Sequence, residues 1–112
     1  MKFSLKNAYE FGWEGLKGKA YNSEADFKNA SAAYFEVTSS HGKTKTSKSD
    51  RVYLVLEGEG TFTINTEVIP VEKMDVIIIP KDTPYDYQTK GEMMKLFLVH
   101  TPAYSPEAEV KL

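Results

Sequence analysis

Two segments constrain what this chain can fold into more than anything else in it. Arg51–Gly60 reads RVYLVLEGEG, and Met74–Pro80 reads MDVIIIP. The first is a β-branched and aromatic run that breaks at Gly58 and Gly60. The second is an apolar run that stops at a proline. Both have the residue types and length of strands, and glycine tolerates the positive φ that tight turns need. Similar runs recur at Ala33–Thr38, Thr61–Ile64, Glu67–Val71, Tyr85–Gln88 and Lys95–Thr101. Asn65-Thr66 suits a short hairpin loop. Asp75–Ile79 is continuously apolar and reads as a buried strand. The 3.6-residue apolar period of a helix is never sustained. Strands at this spacing predict an all-β, antiparallel sandwich or barrel with little helix.

The chain has 112 residues, enough for one domain with a modest core. We expect short strands or an arm over residues 1–32, a barrel core over 33–102 and a tail over 103–112. Ser39–Ser49, with Lys43, Lys45 and Lys48, reads as a solvated basic loop. A net charge of −2 offers no global electrostatic case for nucleic acid. No apolar stretch approaches the ~20 residues that span a bilayer. The N-terminus lacks the continuous apolar segment of a signal peptide, so a cytoplasmic protein is expected. With no cysteine, disulfides and thiolate chemistry are excluded.

The two opening segments resemble the signature motifs of the cupin superfamily of small jelly-roll barrels. The family's first motif reads G-x5-H-x-H-x3/4-E-x6-G, and anchoring it on Gly58 puts its glutamate position at Arg51. Its histidine positions fall at Thr44 and Thr46, or one residue later at Lys45 and Ser47. The second motif reads G-x5-P-x-G-x2-H-x3-N. Anchored on Pro80, it places its glycines at Met74 and Asp82 and its histidine at Tyr85. The resemblance implies a jelly-roll barrel with a ligand cavity in its mouth, and a homodimer. The four metal-ligand positions depart from the family pattern. Threonine is a poor ligand, Arg51 is a permanent cation with no lone pair to offer, and Tyr85 would have to ionise far from ~10. No metal and no other cofactor is therefore expected.

Alternation from Arg51 puts Tyr53 and Val55 on its face of the strand, and Tyr85 and Tyr87 share a face. If those faces are interior, as the resemblance implies, Thr44, Thr46, Arg51, Tyr53, Tyr85, Tyr87 and His100 line the barrel. A cationic and aromatic lining suits a small acid, a sugar or a sugar phosphate. The bland readings are an Arg51 paired at the strand entrance, tyrosines that merely fill the barrel, and a packed His100. His41, beside Gly42 in the basic loop, reads as a surface histidine. Trp13 reads as packed on the barrel wall or at a dimer contact.

Four functions stay open. The first is a metal-free barrel that binds a small polar or anionic molecule. The second is a metal-independent sugar isomerase or epimerase, with His100 or His41 as base and Tyr85 or Tyr87 as acid. The third is a metal-dependent dioxygenase or isomerase, for which His41 and His100 would have to build a new site. The fourth is a structural dimerisation module joined by its N-terminal arm.

Overall fold

A computed structural model describes all residues from Met1 to Leu112. Eleven strands run in chain order: β1 (Tyr9–Trp13), β2 (Leu16–Ala20), β3 (Ser31–Val37), β4 (Thr44–Thr46), β5 (Asp50–Glu57), β6 (Gly60–Ile64), β7 (Glu67–Val71), β8 (Val76–Ile79), β9 (Tyr85–Thr89), β10 (Met94–Thr101) and β11 (Glu109–Lys111). The only helical pieces are 3₁₀ turns at Leu5–Asn7 and Pro106–Ala108. Every pairing is antiparallel. Six strands form one sheet in the order β1-β2-β3-β10-β5-β8, and five form the other in the order β11-β4-β9-β6-β7. The expected all-β jelly roll is what the chain forms.

The strands alternate as a half-buried sheet requires. In β5, Arg51, Tyr53 and Val55 point inward while Val52, Leu54 and Leu56 point outward. β10 does the same with Leu96, Leu98 and His100 inside. Register sets His100 opposite both Arg51 on β5 and Ser31 on β3. The two inner faces meet over a core that includes Phe35, Val37, Tyr53, Phe62, Tyr87 and Leu96.

Several details differ from the sequence expectation. β8 is not buried throughout. It is the edge strand of its sheet, so Ile77 and Ile79 are buried while Val76 and Ile78 are 59% and 64% exposed. A run of four apolar residues hides this alternation, because both faces look alike in sequence. The N-terminal arm is spent within the chain, as β1 and β2 extend the six-stranded sheet beside β3. The basic loop contains β4, which pairs β9 and β11. The tail folds back as β11.

The turns keep the backbone of the family motif where its glycines are gone. Met74 has φ 75° and Asp82 has φ 62°, both left-handed, at the two positions where the motif carries glycine. Gly58 has φ 81°, and a side chain there would run into the Met93 carbonyl at the entry to β10. Asn65 takes φ 55° in the β6–β7 hairpin, a conformation asparagine tolerates. Gly58→Ala is expected to destabilise the fold by about 1–3 kcal/mol. Met74→Gly, at an exposed side chain, is expected to leave stability unchanged or raise it by up to about 1 kcal/mol. Chemical denaturation of both variants checks the contrast in sign.

Candidate functional site

A cavity of 530 Å³ opens between the sheets at one end of the barrel. Its inner wall holds Arg51, Tyr53, Tyr85, Leu98 and His100, and its mouth holds Tyr9, Phe11, Trp13 and His41. The tail contributes Tyr104 and Glu109.

Arg51 is 3% exposed, yet it takes part in none of the four ion pairs of the chain. Its Nε donates to Nε2 of His100 over 3.0 Å, and its guanidinium carbon lies 4.8 Å from the centre of the Tyr85 ring. The two terminal nitrogens make no hydrogen bond to protein. Accepting from Arg51 leaves Nε2 of His100 unprotonated. Burial first, and then the adjacent cation, push the His100 pKa down to about 3. The ring lies against that of Tyr104, with centres 5.2 Å apart. The Tyr104 hydroxyl in turn donates to Glu109 over 2.5 Å.

His41 is the main correction to the sequence reading. It is half-buried at the cavity mouth, not on the open surface. Residues 39–41 are laced to β9: the His41 N–H donates to the Tyr87 carbonyl over 2.9 Å, and the Thr89 N–H donates to the Ser39 carbonyl. The Gly42 N–H donates to Asp86 over 2.8 Å. The imidazole lies against Tyr87 and Tyr85, with ring centres 4.7 and 5.4 Å away, and meets Trp13 edge-on. Trp13 Nε1 donates to the His41 carbonyl. Nδ1 of His41 is 2.8 Å from the Gly42 carbonyl, which can only accept, so Nδ1 carries the proton and Nε2 keeps its lone pair. Burial holds the His41 pKa below the usual value; the Gly42 carbonyl opposes this, and Arg51 reinforces it. The ring is a neutral base at pH 7.

Tyr53, Tyr85 and Tyr87 are buried with no hydrogen-bond partner in good geometry for any of the three hydroxyls. They lie close enough to weigh on one another's ionisation. Even so, burial dominates and raises all three pKa values, so each stays a neutral donor. Tyr53 and Tyr85 border the cavity, whereas Tyr87 sits behind His41. Thr44 and Thr46 are inside the barrel but off the cavity wall. Their hydroxyls donate to the Val110 and Ser49 carbonyls, each over 2.8 Å.

The family's metal does not fit this donor set. The threonine hydroxyls are committed to carbonyls, and the glutamate position is a buried cation bonded to His100. No group of three or more His, Asp or Glu converges anywhere in the chain. His41 and His100 both border the cavity, but the acceptor nitrogen of His100 is already used by Arg51.

Sequence reasoning named His41 as a possible base but placed it on the surface, and it missed the mouth. One signal was available: Tyr9, Phe11 and Trp13 alternate, which places three aromatics on one face of a strand.

A Cupin domain profile matches residues 34–100, and the chain belongs to that family. A curated protein of Methanocaldococcus jannaschii, itself uncharacterised, is 37% identical over 60 residues. The match spans 53% of this chain and about half, 48%, of that protein. Among solved structures, Pac13, a nucleoside dehydratase, superposes with TM-score 0.89 at 23% identity, covering 100% of this chain and 90% of Pac13. A histidine variant of Streptomyces PAC13 bound to uridine gives TM-score 0.89 at 22% identity, covering 99% of this chain and 89% of that one. Oxalate decarboxylase of Bacillus subtilis gives 0.88 at 15% identity, covering 98% of this chain but only 31% of the enzyme. At these identities the likenesses establish the fold alone.

A neutral His100 has a consequence for stability. Its folded pKa of about 3 lies below the unfolded value near 6.5, so between these pH values the unfolded chain binds more protons. Stability is therefore fully present above pH 6.5 and falls as pH drops toward 3, at up to about 1.4 kcal/mol per pH unit for this one group. Arg51, Tyr104 and Glu109 are the charged or titratable groups around it. Urea denaturation at pH 7, 6 and 5 is expected to show the loss, and His100→Gln is expected to shrink it.

Proposed function

We propose that this cupin binds a small polar or anionic molecule in the barrel mouth without the family's metal. The observation that carries this reading is the cavity itself. It has 530 Å³ of space, a buried guanidinium with free donors at its inner end and three aromatic side chains at its rim. That volume and mixed lining fit a small-molecule site. The occurrence of uridine in a fold neighbour makes a nucleoside the first ligand to try, ahead of free sugars and sugar phosphates. Titration calorimetry in chelator-treated buffer is expected to give saturable binding of uridine or of a sugar phosphate. If neither class produces heat at millimolar ligand, the reading fails.

A second reading adds catalysis, and the seating of His41 favours it. A neutral imidazole with a fixed tautomer and a free Nε2 facing a cavity is a ready general base. Protonated Tyr85, which packs on His41 and also borders the cavity, can hold an oxygen on which negative charge builds. His41 would take a proton from a carbon beside a carbonyl. If a cavity tyrosine, Tyr53 or Tyr85, delivers a proton to the other face of the same carbon and is reprotonated from solvent while His41 releases its proton to solvent, the result is epimerisation. Handing the abstracted proton to a departing hydroxide, with a C=C bond formed from the C–H electron pair, is dehydration, the activity named for Pac13. Incubating a bound nucleoside or sugar carbonyl compound in D₂O and following deuterium uptake by NMR tests this step. His41→Gln is expected to slow exchange by about 10²–10⁴-fold while ligand binding persists.

The expected homodimer is proposed through the outer face of the six-stranded sheet. Val52, Leu54, Phe97 and Val99 continue there into the exposed Val76 and Ile78 of β8. β8 is also an open edge, and a two-fold axis presents such an edge with its own antiparallel match. Light scattering is expected to give twice the chain mass, and Ile78→Lys is expected to return it to one.

A further inference from the structure

The inner end of the cavity has a chemistry more specific than the binding reading requires. Arg51 is a buried full charge whose only hydrogen bond goes to a neutral ring. A charge in that position is costly unless an opposite charge joins it. Of the two acids lining the cavity, Glu24 pairs with Lys48 and Glu109 holds the Tyr104 hydroxyl, and neither forms an ion pair with Arg51. The guanidinium is held in place, because Nε is tied to His100 and its carbon sits 4.8 Å from the Tyr85 ring centre. The terminal nitrogens are left as two parallel donors, the arrangement that a carboxylate or phosphate matches in bidentate fashion. At the other end, Tyr9, Phe11 and Trp13 offer a wall of exposed rings, with Trp13 fixed by its bond to His41.

Resting on the proposed binding site, we infer that its ligand is a flat-ringed molecule carrying one anionic group. That group, a carboxylate or a phosphate, is seated on the terminal nitrogens of Arg51, and the ring lies against the aromatic wall. His100 is the positioning residue. It touches no ligand atom in this arrangement, and it holds the guanidinium by accepting from Nε. The charge of the ligand completes an ion pair that the protein leaves half-built.

The test compares uridine, uridine 5′-monophosphate and uridine 5′-carboxylate by calorimetry on the full chain. Either anion is expected to bind at least about tenfold tighter than uridine, in line with a charge-assisted pair in a buried site. The tighter of the two identifies the group. In Arg51→Met the anion-to-nucleoside affinity ratio is expected to fall to about one, and in Arg51→Lys to an intermediate value. Equal affinity of the three ligands for the natural chain overturns the anion seat and leaves the binding site standing. If no nucleoside binds at all, the binding reading has lost its ring. The seat is then read separately by titrating ¹⁵N-labelled protein with inorganic phosphate. Saturable shifts of the Arg51 Nε–H and His100 ring signals uphold it, and unchanged signals overturn it. Arg51→Met need not fold for these last two measurements to decide.

Discussion

The side chain of Arg51 organises one end of this barrel, and most of what surrounds it is a response to its charge. Strand alternation in β5 leaves it no choice but to point inward, since Tyr53 and Val55 on the same face are core residues. Once inside, it needs acceptors. The strand opposite provides His100 in direct register, and the hydrogen bond requires that imidazole to be neutral. The Tyr85 face supplies a second, weaker interaction with the cation. Each of these groups occupies or adjoins a position where a metal-binding cupin needs a ligand. Replacing the glutamate position with arginine changes more than one ligand, because a cation at the centre excludes another cation from the whole site.

The second organising element is the lacing of residues 39–42 onto β9. Backbone bonds from His41 and Thr89, together with the Asp86 side chain holding the Gly42 N–H, turn a segment of loop composition into an extra rung of the five-stranded sheet. The His41 ring is then pressed against Tyr85 and Tyr87 from that side, while Trp13 of β1 closes from the other sheet. An N-terminal strand with no buried residue of its own therefore has a clear use. It adds little to the core, yet it builds the rim and fixes the His41 ring. Loosening β1 would alter the site before it altered the barrel.

The fold was legible because two short segments carry both pattern and punctuation. Alternating β-branched residues end at Gly58 in one, and an apolar run ends at Pro80 in the other. Arg51, Tyr53, Tyr85 and His100 reached the cavity wall by the same alternation that predicts their strands. Three features were not legible. A four-residue apolar strand does not reveal that it lies at an edge, so the exposure of Val76 and Ile78 was hidden. β4 is three polar residues held by long-range pairing, and no local propensity announces it. The position of His41 depends on hydrogen bonds to residues more than forty positions away, so neighbouring lysines and glycine made it look like solvent-exposed loop. Conversely, the left-handed Met74 and Asp82 show a turn geometry outlasting the glycines that normally mark it. The backbone shape was retained while the sequence sign for it was lost.

Three buried phenolic hydroxyls without good partners sit beside a buried guanidinium without a counter-ion, and each is a cost to the folded barrel. Filling the same space with leucine and phenylalanine would satisfy packing at less expense. Of these donors, Arg51, Tyr53 and Tyr85 border the one cavity, and on the proposed reading they are complementary to acceptors from outside the protein. The donors are also mismatched in kind. The tyrosines remain neutral donors, whereas Arg51 is always charged. On the proposed reading, a molecule with several neutral oxygens and one charged group would meet both demands at once. On this reasoning the polarity of the interior, more than its volume, restricts what this barrel can hold.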